Sequence, residues 1–283
     1  MLIKSNSSNK EHLYKKNRSF LKWAGGKFPM VEKIRNYLPS GEVLMEPFVG
    51  AGTIFLNTNY DRYVLADINH DLISLYEIVK NNPETFVEDA KLLFTEETNQ
   101  EASFYQIREL FNISTEPYER ALLFLYLNRH CFNGLCRYNT KGEFNVPFGR
   151  YEKAYFPEKE ILFFAEKAQN AEFICAPYQD VMEIADPGYV VYCDPPYAPT
   201  SKRANFTAYY SVDFNIEDQG NLARMAEKLS NNQIPVIISN HDTSFTREWY
   251  GNADIFTVET RRSISCDGNG RKKIDELLAL YLR

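Results

Sequence analysis

Short apolar runs separated by stretches of helical period constrain this chain more than any other feature. EVLMEPF (42–48), RYVLAD (62–67), AEFIC (171–175), GYVVYC (188–193), IPVIIS (234–239) and ADIFTVET (253–260) all have strand length. Their apolar parts are near-continuous, as in parallel strands buried on both faces. Helices are predicted over about 29–37, 52–58 and 70–80, where Leu72, Leu75, Tyr76 and Val79 share one face, and over 83–94, 102–111 and 117–131. DELLALYL (275–282) reads as a further strand closing the sheet at its edge. Strands alternating with helices specify a doubly wound α/β sheet. The 283 residues, 44% of them hydrophobic, can bury the large core that such a sheet needs.

Residues 132–155, FNGLCRYNTKGEFNVPFGRYEKAY, break the alternation. They are rich in Gly, Asn and aromatics, and Lys141-Gly142 marks a hairpin turn. With the preceding helices they read as a unit inserted between two halves of the sheet. The expected layout is a flexible leader over 1–16, a sheet domain from 17–80 and 157–283, and an insert over 81–156. The leader is polar and lacks a signal-peptide core. Five cysteines (131, 136, 175, 193 and 266) form no CxxC pair, which argues against a disulfide framework or a zinc site. No apolar stretch reaches membrane-spanning length. A soluble intracellular protein is expected.

EPFVGAG (46–52) joins a predicted strand to a predicted helix, with Gly50 and Gly52 placed for close backbone approach to a ligand. The third glycine of a dinucleotide fingerprint is missing. Asp67, at the end of the second strand, is placed to accept from ribose hydroxyls. A tight turn beside a surface aspartate fits the same residues. Upstream, FLKWAGGK (20–27) adds Trp23, an aromatic for a purine face, and Lys27, a point charge for a carboxylate. A ligand carrying both adenosine and an amino-acid carboxylate, such as S-adenosylmethionine, uses all these features, whereas NAD requires a pyrophosphate cradle.

The strand GYVVYC runs into Asp194-Pro195-Pro196-Tyr197. One reading is a strand stop, since proline donates nothing to a ladder. The other is chemical. The lone pair of an exocyclic amine such as adenine N6 is delocalised into the ring. Two acceptors, the Asp194 carboxylate and the Pro195 carbonyl, can localise that lone pair by taking both N–H bonds, and proline fixes its carbonyl in advance. Tyr197 can stack on the ring and fix its plane.

FLKWAGGK, EPFVGAG, ADIN (66–69), FLYLNR (124–129), NGLCRYN (133–139), GEFNVPFGRY (142–151), VVYCDPPYAP (190–199), FTAY (206–209), ISNHDT (238–243) and RRSIS (261–265) occur in this order. The chain from about Asn17 to Tyr281 thereby resembles the Dam-type DNA adenine-N6 methyltransferases, which act on GATC. The resemblance implies a Rossmann-like, seven-stranded class I methyltransferase sheet with an inserted helical DNA-recognition subdomain carrying a β-hairpin. It implies S-adenosylmethionine as cofactor, no metal, double-stranded DNA as partner, a monomer, and a cytoplasmic, nucleoid-associated location. Asp194, Pro195, Pro196 and Tyr197 would be catalytic. Trp23, Ala24, Gly25, Lys27, Glu46, Phe48, Gly50, Gly52, Asp67, Asp180 and Asp194 would hold the cofactor.

On the DNA side, Arg137 would read a guanine edge, Leu135 and Pro147 would touch the thymine methyl, and Asn133 would fill space near the flipped-out base. Lys22 would reach the outer guanine. Arg129, Asn139, Asn145, Arg150 and Tyr151 would make further contacts. Phe132 stands where the family often has Tyr, so stacking is kept and any hydroxyl contact is lost. A net charge of −6 gives no global attraction to nucleic acid. Residues 128–153 carry five Lys and Arg against two Glu, and 259–273 carry five against two acids, each a net +3. On charge alone these are better read as solvated loops, and the resemblance assigns only the first to DNA. FTAYY (206–210) reads either as a loop closing over a flipped base or as an aromatic core contact.

Overall fold

The computed structural model describes residues 16–197, 214–258 and 275–282. The leader up to residue 15, FTAYY and the second basic stretch lie outside the described residues, as does Cys266.

Seven strands form one mixed sheet: β1 Val43–Glu46, β2 Arg62–Asp67, β3 Ala171–Cys175, β4 Tyr189–Cys193, β5 Val236–His241, β6 Asp254–Val258 and β7 Glu276–Tyr281. Their order is β3-β2-β1-β4-β5-β7-β6. Pairings from β3 through β5 are parallel, and β7 runs antiparallel to both β5 and β6. The expected edge position of 275–282 is therefore corrected. β7 lies between β5 and β6, and its pattern of buried residues along the whole strand is that of an interior strand.

The helices are α1 Val31–Tyr37, α2 His70–Asn81, α3 Pro83–Lys91, α4 Glu101–Ile113, α5 Pro117–His130, α6 Glu158–Ala168, α7 Tyr178–Glu183, α8 Ile216–Asn231 and α9 Ser244–Trp249. The helix expected over 52–58 is only a 3-10 turn, Phe55–Asn57. Gly50 and Gly52 both hold positive φ, 45° and 65°, so the chain loops before it can wind. Asn69 caps α2 by accepting from the Leu72 N–H. Pro117 opens α5, whose residues from Leu123 to His130 are buried all round, as expected of a helix in the middle of a layer.

The sheet separates two cores. Strand alternation sends Leu44, Leu65, Val190, Tyr192 and Ile237 to one face, and Val43, Met45, Val64, Val191 and Ile238 to the other. The first face also carries Phe104, Phe111, Phe124 and Phe144 in the same continuous cluster. The inserted helices thus share a core with the sheet layer, and the division into two units is one of chain order. The Lys141-Gly142 hairpin forms without a ladder. It is held at its base by two isolated bridges, Cys131 with Phe148 and Tyr138 with Phe144, and Gly142 turns at φ 77°. No helix among the described residues is long and apolar enough to cross a membrane.

Candidate active site and nucleic-acid surface

Strand period explains the site. Glu46, Asp67, Asp194 and Ser239 each follow an apolar residue of the first core by two positions, so all four point to the same face at the carboxyl ends of β1, β2, β4 and β5. β1 and β4 flank the point where strand order reverses, the usual crevice for a ligand in an open α/β sheet.

Asp194 is the most constrained of these. Its Oδ1 takes the Lys27 ammonium at 2.7 Å and the Ser239 hydroxyl at 3.0 Å. Lys27 is 3% exposed, donates also to the Gly25 carbonyl at 2.8 Å, and sits 4.4 Å from the centre of the Tyr197 ring. The carboxylate that Lys27 holds is thus the protein's own. The Pro196 carbonyl accepts from Gln219 Nε2 at 2.8 Å, and Gln219 is fixed in turn by Asn240 and Tyr250. Pro195 is buried, so the dipeptide is rigid from both sides. The Tyr197 hydroxyl donates to Glu276 Oε2 at 2.7 Å, and its ring meets His241 edge-on at 4.7 Å. Burial, then the Asp194 and Glu276 charges, push this phenol well above its usual range, which keeps it a donor. Gln219, Tyr250 and Glu276 were not foreseen as site residues, and Ser239, Asn240 and His241 only as letters of ISNHDT.

On the cofactor side, Asp67 accepts from the Gly50 N–H at 3.1 Å and the Asn69 N–H at 3.0 Å, which ties the glycine loop to the end of β2. A Cβ on Gly50 would lie 2.8 Å from Trp23 Nε1, so the indole rests directly on the loop. Ala24 and Gly25 are exposed beside it. Phe48 stacks on Tyr178 at 5.2 Å, and Asp180 is exposed in the first turn of α7. Gly52 turns toward the Phe55 ring within the loop.

Glu46 is 2% exposed, and its Oε1 has no partner. Burial pushes its carboxyl from 4.5 up to about 8, so it is largely protonated at neutral pH. An orphaned buried oxygen beside a cradle too tight for a Cβ fits a ligand carrying hydrogen-bonding groups. The proton linkage has a definite sign. Between 4.5 and about 8 the folded state binds a proton that the unfolded state does not, so the contribution of Glu46 is full below 4.5 and is lost as pH rises through about 8. Glu46→Gln is expected to remove this slope. Denaturant unfolding at pH 5 and pH 8.5 should show the wild type losing on the order of 4 kcal/mol more than the variant.

The proposed DNA-facing residues form a second surface around the hairpin. Phe132 (49% exposed), Asn133, Arg137, Pro147 and Arg150 are exposed; Leu135, Asn139, Asn145 and Tyr151 are half-buried. Arg137 donates through Nε to Asn145 Oδ1 at 2.7 Å and through Nη2 to the Asn145 carbonyl at 3.2 Å, which leaves Nη1 and one Nη2 hydrogen for another fork. Asn139 holds Glu143 Oε2 and the turn N–H groups, and Arg150 meets Glu101 at 3.3 Å. Lys22 lies with its ammonium 3.8 Å from the Tyr151 ring centre and donates to the Arg129 carbonyl. Burial, then the Arg129 charge, lowers its pKa. Arg129 is only 8% exposed and donates to the Tyr155 carbonyl, so it supports this surface from below. Asn128 joins the two regions: its amide pairs with both the N–H and the carbonyl of Lys22, at 2.9 and 2.7 Å.

Residues 23–264 match the family model described as D12 class N6 adenine-specific DNA methyltransferase. A DNA adenine methylase of Serratia marcescens is 62% identical over 268 residues, covering 94% of this chain and 99% of the relative. One from Escherichia coli K12 is 62% identical over 267 residues, 94% and 96% of the two chains. One from Vibrio cholerae is 54% identical over 268 residues, 94% and 97%.

Proposed function

The chain belongs to the D12 class of N6 adenine-specific DNA methyltransferases, and from that premise we propose that it methylates adenine in double-stranded GATC sites, using S-adenosylmethionine and turning the target base out of the helix. The observation that carries the reading is the Asp194 carboxylate, fixed through Oδ1 by Lys27 and Ser239 at the switch point of the sheet.

S-adenosylmethionine, when bound, supplies an electrophilic methyl on a sulfonium sulfur. Trp23, Glu46, Gly50, Asp67 and Asp180 are the residues that would hold it. With Oδ1 anchored, Asp194 Oδ2 accepts one N–H of the adenine amino group, and the Pro195 carbonyl accepts the other. Both acceptors are set before substrate arrives, so the nitrogen lone pair is localised without reorganising the protein. The nitrogen that gains the methyl must lose a proton, and Asp194, 22% exposed, is the nearest base with a route to water. The Tyr197 ring, clamped by Glu276 and His241, fixes the plane of the base. An amino group paired inside a duplex cannot meet these acceptors, so the base must leave the stack. The exposed Phe132 has the character of a wedge for the space left behind.

Methyl transfer from labelled cofactor onto duplexes that differ at single positions of GATC tests this reading. Each change is expected to lower kcat/KM by about 10- to 100-fold, the usual effect of one wrong base pair. A flat response across the panel would refute the specificity while leaving the chemistry in place.

A further inference from the structure

Arg137 projects from a hairpin without a continuous strand ladder, whose arms are tied by isolated bridges and by single bonds such as the Asn145 N–H to the Arg137 carbonyl at 3.1 Å. Asn145 holds the Arg137 fork to the opposite arm, but bidentate pairing needs the fork placed to a fraction of an ångström, so the hairpin must itself be held to the rest of the protein. The structure supplies that second support. Side chains alternate along 136–138, so while Arg137 is exposed, its neighbours on either side are turned inward onto the start of α2. Cys136 Sγ accepts from Asn69 Nδ2 at 3.4 Å. The Tyr138 hydroxyl donates to Asp71 Oδ2 at 2.7 Å.

Both partners are themselves fixed. Asp71 Oδ1 takes Arg120 Nε at 3.0 Å and Nη2 at 2.8 Å, and Arg120 Nη1 donates to the carbonyls of Phe111 and Ser114. Asn69 is the cap of α2, and its N–H is on Asp67. The Tyr138 ring also meets Phe144 edge-on across the hairpin. Burial raises the pKa of Tyr138 and that of Cys136, the latter to about 12, so both stay neutral and the Tyr138–Asp71 bond remains one of hydroxyl to carboxylate.

We propose that Tyr138 and Asp71 are positioning residues for base discrimination: their bond holds the Arg137–Asn145 hairpin against α2, so that Arg137 presents its free N–H pair to a guanine in one geometry. The inference rests on the reading of Arg137 as the guanine contact, and it assigns the second half of that contact to the first turn of α2, two to four residues beyond Asp67. A hairpin released at Tyr138 keeps its arginine but lets the fork wander, so selectivity falls before binding does.

The test compares wild type, Tyr138→Phe, Arg137→Ala and the double variant on GATC duplexes carrying guanine or 7-deazaguanine, which lacks the N7 acceptor, and on duplexes altered at the other positions. Wild type is expected to prefer guanine at least about 10-fold, and Arg137→Ala to abolish that preference. Tyr138→Phe, which keeps the ring, is expected to reduce the preference several-fold, to leave discrimination at the other positions and cofactor affinity unchanged, and to add nothing in the Arg137→Ala background. If Tyr138→Phe slows all duplexes equally, or alters selectivity further when Arg137 is already gone, the positioning role is overturned. If Arg137→Ala keeps the guanine preference, the reading of Arg137 itself fails and the inference falls with it. If only the Arg137 variant responds, that reading stands and the inference alone falls.

Discussion

Asp194→Ala is expected to lower kcat by about 10³-fold or more while S-adenosylmethionine binding is largely kept. Removing one preorganised group from a reaction centre commonly costs 10²- to 10³-fold, and Asp194 serves both as acceptor and as the nearest base. The variant also leaves the Lys27 ammonium, 3% exposed, without its carboxylate. Breaking a buried pair in this way costs about 3 kcal/mol, reduced here because Asp194 is partly solvated, so a lower Tm should accompany the loss of turnover. Asp194→Asn separates the two effects. It keeps the shape and one acceptor oxygen but not the charge, and should remain at least about 10²-fold impaired in kcat. Single-turnover methyl transfer together with equilibrium cofactor binding checks both variants. Undiminished turnover in Asp194→Ala would sink the mechanism.

Gly134→Ala is expected to uncouple the DNA surface from the chemical site. A Cβ there would lie 2.2 Å from Lys22 Cβ and 2.7 Å from Lys22 Cδ, and the residue holds φ +62°. Lys22 cannot retreat, because its N–H and carbonyl are both clamped by Asn128. Positive-φ strain costs about 1 kcal/mol and overpacking a further 1–3 kcal/mol, which predicts a fall in Tm of about 5 °C. The displaced turn carries Phe132 and Asn133, so kcat/KM on duplex DNA should drop on the order of 100-fold. Gly142→Ala is the control: φ is +77°, but nothing lies within 4 Å of its Cβ. It should show the strain alone. Equal losses in the two variants would show that the clash with Lys22 is without consequence.

Much of the sheet was legible because parallel strands buried on both faces leave a local mark, an apolar run of fixed length. The ends of those runs were legible for the same reason: Glu46, Asp67 and Asp194 are the polar residues that interrupt them. The position of β7 was not, since an apolar strand looks alike at an edge or inside a sheet, and its neighbours are fixed by pairing over distance. The turn after β1 read as a helix because strand and helix alternate along the chain; two glycines at positive φ decided otherwise. Arg129 resembled a surface contact in its motif, but α5 is buried all round at that end, and only packing shows it. The supports of the site were hidden most deeply. Gln219 beneath Pro196, Glu276 on Tyr197 and Asp71 on Tyr138 lie 23, 79 and 67 residues from what they hold. Each is an ordinary polar residue until the chain brings it there.

The place of β7 also bears on how the enzyme is made. β6 pairs with β7, and β7 alone joins it to β5. β1 pairs early with β2, but its other neighbour, the central strand β4, comes late: the first paired residue of β4, Tyr189, lies 146 positions after its partner Val43. A ribosome adding about 5–20 residues per second therefore makes the helices and hairpin of the proposed recognition surface well before the sheet can close. Glu276, which fixes Tyr197, arrives with the strand that locks β5 to β6. Residues 81–156, proposed to face DNA, are thus synthesised seconds before the strands that complete the centre around Asp194.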